Sequence, residues 1–95
     1  MRFAGFDWDG ANLPKCLGHG VSLEQIEALF AGDIFVIWEG VVNDESRVFG
    51  FGRVGERWVF CAFTWRGDRI RPISVRFMHA KEVRRHVKEN PEAGD

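Results

Sequence analysis

The residues of this chain best suited to chemistry are the arginines near its end. Between positions 66 and 88, eight Lys and Arg residues accompany only two acids, a local charge of +6 in a chain whose net charge is −1. Guanidinium groups bind phosphate through paired N–H donors, so this concentration indicates a localised site for a polyanion such as a nucleic acid. A charged run is also the usual composition of a solvated face, and composition alone leaves both interpretations open.

The segment that contains Arg71 and Arg76 alternates basic and aliphatic residues, as an amphipathic strand does. Regular alternation would point the two arginines to opposite faces of a sheet, because their separation is odd. Pro72 lies between them, and a bulge at such a proline would bring both side chains to one side. We therefore predict a cationic cup in which Arg53 and His19 join the two arginines. The alternative is that these are surface arginines with solvated head groups.

No other constellation in the sequence predicts a defined chemistry. The three histidines show no ligand spacing with acids or cysteines, so we predict no metal site and no cofactor. Glycines 50 and 52 superficially match a phosphate loop, but they lie within a predicted strand and open no helix. The Arg-Gly-Asp triplet at 66–68 is interpreted as a tight turn that uses the conformational freedom of glycine.

Length and composition indicate a single domain over residues 1–88, followed by an acidic tail over 89–95 that we expect to be disordered. Nine Phe and four Trp in 95 residues provide enough apolar ring surface for a core. Cys16 and Cys61 are predicted to be buried free thiols, because a small secreted scaffold would carry more cysteines. No apolar run reaches membrane-helix length and no signal-peptide pattern opens the chain, so we predict a cytoplasmic location.

The elements that must position the arginines are predicted in the order strand, two helices, four strands and a final helix. Ser22 and Gln25 form a capping-box pattern that predicts a helix over 22–31, and Asn12 is predicted to cap a shorter helix before it. Short β-rich runs separated by turns predict antiparallel neighbours. The result is an α+β domain with a four- to five-stranded antiparallel sheet, two N-terminal helices and a C-terminal helix, all packed against one side.

Several motifs, taken in order and with their spacing, resemble the BrnT toxins, which are the toxin halves of type II toxin–antitoxin pairs and have a RelE-like ribonuclease fold. The motifs extend over nearly the whole chain to about Lys88. They are Phe6-Asp7-Trp8-Asp9, Asn12, His19-Gly20-Val21-Ser22, Gly52-Arg53, Arg66-Gly67, the run from Ile70 to Arg76, and Glu82.

This resemblance implies an endoribonuclease that acts on RNA in the cytoplasm without a metal and is neutralised by a BrnA-type antitoxin encoded beside it. It also implies a homo-oligomer or a toxin–antitoxin hetero-oligomer as the assembled state. By position, Arg53, Arg71 and Arg76 would bind phosphate and stabilise the transition state, with His19 as the candidate general acid or base. The expected RNA-binding residues are four further cations of the basic segment, namely Arg66, Arg69, Lys81 and Arg85.

Three positions depart from the pattern of the BrnT toxins. Gly18 stands where the family usually has a cation, His79 stands where the last helix usually opens on Thr or Ser, and His86 replaces a common Tyr. These changes would remove a cation, a cap and a ring, so weakened RNA binding or turnover is expected. The alternative function is therefore a non-catalytic BrnT-like binding module, either a degenerate toxin or a nucleic-acid-associated partner.

Overall fold

A computed structural model of the protein describes residues 1–90 and 92–93. Its four strands form one antiparallel sheet in the order β1-β2-β3-β4. The predicted α+β class and the order of helices and strands are confirmed, although the expected fifth strand is reduced to one parallel bridge between Phe6 and Ile70. The elements are α1 (Asn12–Leu17), α2 (Leu23–Ala31), β1 (Phe35–Val42), β2 (Glu45–Val54), β3 (Arg57–Arg66), β4 (Arg69–Phe77) and α3 (Ala80–Glu89).

The hydrophobic core lies between one face of the sheet, here called the core face, and helices α1 and α2. Alternate residues of each strand point to this face because successive side chains of a strand point to opposite sides. The buried members from the sheet include Val48, Val59, Cys61, Phe63 and Val75, and those from the helices are Cys16, Ile26, Leu29 and Phe30. Both cysteines are free and buried, as predicted.

Helix α2 sits close to the sheet because a glycine lies beneath it. A Cβ atom at Gly52 would lie 2.7 Å from Leu29 Cδ1 and 2.8 Å from the carbonyl oxygen of Asp33, so no larger residue fits. The start of the helix is fixed by the predicted capping box, in which Ser22 and Gln25 each accept a hydrogen bond from the other's backbone amide. The predicted helix and its capping box are therefore confirmed.

The start of α1 differs from the prediction, because Asn12 is not its N-cap. Ala11 occupies the N-cap position, and the carboxylate of Asp9, two residues earlier, accepts hydrogen bonds from the amides of Ala11 and Asn12 at 2.8 and 3.1 Å. The Asn12 side chain is buried instead: it donates to the carbonyls of Asp7 and Pro72 and accepts from the Asp9 amide. Through these buried hydrogen bonds, Asn12 connects the N-terminal segment to β4.

Helix α3 lies on the opposite side of the sheet from α1 and α2, so the expectation that all helices share one side is wrong. It contacts the sheet through the Glu82–Arg76 ion pair and through the His86 ring, which lies 6.0 Å from the ring of Phe51. Phe51 and Arg76 both pair with Phe60, and that row of residues faces away from the core. None of the residues of α3 is fully buried, so this helix is held by a few side-chain contacts.

Positions 91, 94 and 95 of the predicted disordered tail over 89–95 lie outside the described residues. Glu89 is the last residue of α3, and the Ala93 amide donates to the Asn90 carbonyl. In the part of the chain that the structure describes, no helix is long and apolar enough to cross a membrane.

Candidate functional site

A bulge in β4 sets the directions of the two central arginines. The β3–β4 ladder pairs Ala62 with Ser74 and then Phe63 with Pro72, which leaves Ile73 without a partner. On either side of this extra residue, Arg71 is opposite Thr64 and Arg76 is opposite Phe60. Thr64 and Phe60 point to the same face of β3 because an even number of residues separates them. The predicted bulge and the shared side of the two arginines are therefore confirmed.

We call the side of the sheet opposite the core the arginine face, because strand alternation directs arginines of β2, β3 and β4 to it. The partners of Arg71 and Arg76, Thr64 and Phe60, are four residues apart on β3, so the Cα atoms of the two arginines are about 13 Å apart at the usual rise per residue. The Cα atom of Arg53 is roughly 12 Å from that of Arg76 across two strands. The predicted residues therefore form an extended array and not one tight cup. The arginines of this face are Arg47, Arg53, Arg66, Arg69, Arg71 and Arg76.

Arg71 is held in place by two carboxylates of the N-terminal segment. Its Nη1 lies 3.2 Å from Asp7 Oδ2 and its Nη2 lies 2.9 Å from Asp9 Oδ2, while only 16% of the side chain is exposed. Hydrogen bonds from the Asn12 and Ala11 amides, together with the Arg71 guanidinium, lower the pKa of Asp9. The buried Asn12 fixes this segment, so the direction of the guanidinium is determined by long-range packing.

Arg71 also borders a cationic cleft of about 260 Å³ between α1 and the sheet. Lys15, Arg47 and Arg66 line the same cleft, and Glu45 is the acid among its lining residues. Glu45 accepts a hydrogen bond of 2.6 Å from Arg66, which lowers its pKa. The buried Nε of Arg47 has no hydrogen-bond partner among the described residues.

Arg76 forms a bidentate ion pair with Glu82 of α3. Its two terminal nitrogens lie 2.7 and 2.8 Å from the two carboxylate oxygens. This pair, together with a hydrogen bond from the His79 amide, lowers the pKa of Glu82 to about 2. The Arg76 guanidinium also lies over the ring of Phe60, with Cζ 4.6 Å from the ring centre. Arg76 is thus oriented by an acid and by an aromatic ring.

The other predicted site residues lie at the edges of this array or away from it. His19 is exposed in the turn after α1, and among the described residues no hydrogen bond or ion pair joins it to the arginines. Arg69 is exposed beside the hairpin turn. Lys81 and Arg85 are exposed on α3, where Arg85 lies 3.9 Å from Glu89. Within the described ranges no cluster of three or more His, Cys, Asp or Glu residues is placed to hold a metal ion.

The three departures from the expected pattern have defined positions. Gly18 ends α1 in a helical conformation. His79 occupies the N-cap position of α3, and its backbone amide donates a hydrogen bond of 3.0 Å to the Glu82 carboxylate. This is the capping-box bond from the N-cap amide to the side chain three residues later. His86 still presents a ring, which packs against Phe51.

Two cations of the site, Lys15 and Arg47, were not among the predicted residues. Arg47 precedes Phe49 by two positions, so its face could have been inferred from strand alternation. No sequence pattern places Lys15 at the site, because its position beside Arg71 depends on how α1 packs against β4. The partners Asp7, Asp9 and Glu45 were not predicted for the same reason.

The fold and this face together define a small α+β protein with one antiparallel sheet and an array of oriented arginines on its side away from the core. A family model described as the ribonuclease toxin, BrnT, of type II toxin–antitoxin systems matches residues 8–82, and the chain belongs to this family. The matched span contains the Ile73 bulge, Arg53, Arg71, Arg76 and Glu82. Comparisons with curated proteins and with solved structures give no match.

Proposed function

We propose that this protein is a metal-independent endoribonuclease that cleaves RNA on its arginine face and is neutralised by a BrnA-type antitoxin. One observation carries the proposal: the Ile73 bulge brings Arg71 and Arg76 to the same side of the sheet, in a chain that belongs to a family of ribonuclease toxins. Because its substrate would be cellular RNA, we place its action in the cytoplasm.

The proposed reaction uses the 2′-hydroxyl of the RNA as its nucleophile. The 2′-oxygen attacks the adjacent phosphorus while the bond from phosphorus to the 5′-oxygen breaks, which leaves a 2′,3′-cyclic phosphate and a 5′-hydroxyl. One proton leaves the 2′-hydroxyl for a base, and another reaches the departing 5′-oxygen from an acid. Negative charge grows on the non-bridging oxygens, where preorganised donors stabilise it by roughly 3–4 kcal/mol each.

Arg71 and Arg76 have the orientation that such donors need. A guanidinium carries more N–H groups than one pair of carboxylate contacts uses, so each arginine retains donors for a phosphate while the acids hold its direction. Arg53 would bind a phosphate farther along the strand of RNA. Arg66 and Arg69 at the hairpin, and Lys81 and Arg85 on α3, would extend this path at both ends of the face.

His19 is the proposed proton-transfer group. Imidazole titrates close to neutral pH, whereas Glu82, with a pKa of about 2, is a weak base. The exposed position of His19 requires that the bound RNA reach the turn after α1. Loss of a general acid or base typically costs two to four powers of ten in rate, so His19→Ala is expected to slow cleavage by about 100-fold or more.

A second candidate is a non-catalytic module that binds RNA or a protein partner. It is favoured by the carboxylates that already occupy Arg71 and Arg76, because a phosphate must compete with Asp7, Asp9 and Glu82 for these donors. This candidate predicts RNA binding that weakens with salt but produces no cleavage.

The test is to incubate the purified chain with RNA in the presence of EDTA and to analyse the product ends. Cleavage that yields 2′,3′-cyclic phosphate and 5′-hydroxyl ends, and that stops when the protein encoded beside this chain is added, supports the proposal. Binding without products under any buffer condition would favour the non-catalytic module. Cleavage that EDTA abolishes would contradict the metal-independent mechanism.

A further inference from the structure

A continuous row of rings crosses the arginine face and ends on an arginine. Trp38 of β1 lies 5.2 Å from Phe49 of β2, and Phe49 lies 6.0 Å from Phe60 of β3, measured between ring centres. The guanidinium of Arg76 in β4 lies over Phe60. The row therefore contains one side chain from each strand, and none of its members belongs to the buried core.

The first ring of this row lies flat on the sheet. A Cβ atom at Gly40 would collide with the Trp38 ring, which shows that the indole covers the backbone at that glycine. The indole remains 42% exposed, so its other face is open to solvent. Phe49 is partly exposed beside it. A flat, half-exposed aromatic surface of this kind can stack against another planar group.

Cations flank the row on both sides. Arg47 precedes Phe49 on the same strand and face, Arg53 follows it, and Arg71 and Arg76 lie on β4. A ligand that matches this pattern has planar apolar groups joined by a negatively charged backbone, as single-stranded nucleic acid does. Among the described residues Arg53 is the one of these four arginines with no carboxylate partner, and a purely apolar protein segment would leave this exposed cation without a complement.

We propose that Trp38 and Phe49 of this row form a stacking platform for the unpaired bases of single-stranded RNA, with Phe60 and Arg76 at the end where the backbone is cleaved. This inference rests on the proposed function for the identity of the ligand. It assigns base binding to residues outside the arginine array, and it places the RNA across the strands from β1 towards β4.

The test is a binding titration with a short 2′-O-methyl oligonucleotide, which cannot be cleaved, against the full chain and its variants. Stacking on one ring contributes about 1–3 kcal/mol per base, so Trp38→Ala and Phe49→Ala are each expected to weaken binding by roughly 5- to 100-fold. Trp38→Phe should retain most of the affinity because it retains a ring. Val41→Ala, on the same strand but the opposite face, is the matched control and should bind like the unaltered chain.

Two further measurements separate stacking from a general loss of structure. An oligonucleotide of abasic sites keeps the phosphates, so Trp38→Ala should bind it as tightly as the unaltered chain does. The salt dependence of binding should be unchanged in Trp38→Ala, whereas Arg76→Ala should reduce the slope of log affinity against log salt by about one.

The inference is overturned if the unaltered chain does not bind the 2′-O-methyl oligonucleotide, or if Trp38→Ala and Phe49→Ala bind it normally. Normal RNA binding by these variants, combined with loss of association with the protein encoded beside this chain, would assign the row to a protein partner and also overturn the inference. Binding that depends on the rings without cleavage of natural RNA would support the platform while contradicting the proposed ribonuclease.

Discussion

Arg71 and Arg76 point to the same side of the sheet because Ile73 between them has no partner in the β3–β4 ladder. Without this extra residue, one of the two arginines would point towards the core face. The bulge therefore converts an alternating strand into one that presents both cations on the same face. Each cation is then oriented by carboxylates from another part of the chain, Asp7 and Asp9 for Arg71 and Glu82 for Arg76.

The Glu82–Arg76 pair is expected to stabilise the protein in a pH-dependent way. The pKa of Glu82 falls from an ordinary value of 4.5 to about 2 on folding, mainly because Arg76 donates to its carboxylate. A lowered pKa gives stability that is complete above about pH 4.5 and is lost as the pH falls towards 2. With allowance for solvent screening, Glu82→Gln should lower the free energy of unfolding by about 1–2 kcal/mol at neutral pH.

Denaturant unfolding of Glu82→Gln at neutral pH and near pH 3 measures this effect. The difference from the unaltered chain should shrink at the lower pH, because below about pH 4.5 the Glu82 carboxylate binds a proton in the unfolded state while it stays ionised in the native pair. Glu89→Gln is the control on the same helix, because Glu89 is exposed and its ion pair is long at 3.9 Å. Equal stability losses for the two variants would contradict the assigned role of Glu82.

The buried side chain of Asn12 is expected to contribute more to stability than its size suggests. Asn12→Ala would leave the Asp7 and Pro72 carbonyls and the Asp9 amide without their hydrogen-bond partner. Unpaired buried polar groups cost roughly 1–3 kcal/mol each, so we expect a loss of about 2 kcal/mol or more in urea unfolding. Gln25→Ala, which removes an exposed capping bond, should lower the free energy of unfolding by at most about 1 kcal/mol. A larger loss for Gln25→Ala than for Asn12→Ala would contradict this role of Asn12.

Gly52 is expected to tolerate no larger side chain. Gly52→Ala places a Cβ against Leu29 and the Asp33 carbonyl, and the backbone oxygen cannot move aside as a flexible side chain could. Overpacking of this kind costs about 1–3 kcal/mol in the free energy of unfolding. Gly10→Ala, which meets no atom within 4 Å, is the control and should change stability by less than about 0.5 kcal/mol. A thermal or urea melt that shows no difference between them would contradict this packing.

The parts of the fold that depend on local rules could be predicted from the sequence. The capping box of α2 involves residues three positions apart, and the bulge was signalled by a proline inside a strand. These features follow from backbone geometry and short-range hydrogen bonds, which a single sequence contains.

The parts that depend on tertiary packing could not be predicted. Asp7 and Arg71 are 64 positions apart, so no spacing rule connects them. The side of the sheet chosen by α3 depends on the Arg76–Glu82 pair, which exists only once the bulge has directed Arg76 outwards. Asn12 has the residue type of an N-cap, and burial against the Pro72 carbonyl overrides that local preference.

The most direct test of the central claim is the rate of RNA cleavage by an Arg71→Ala/Arg76→Ala variant. The claim predicts that this variant folds, as circular dichroism would verify, and cleaves RNA at least about 100-fold more slowly than the unaltered chain. The charge-matched control Arg2→Ala/Arg57→Ala removes two exposed cations that lie outside the arginine face and should retain activity. Equal cleavage by the Arg71→Ala/Arg76→Ala variant and the unaltered chain would contradict the claim that these two arginines form the active site.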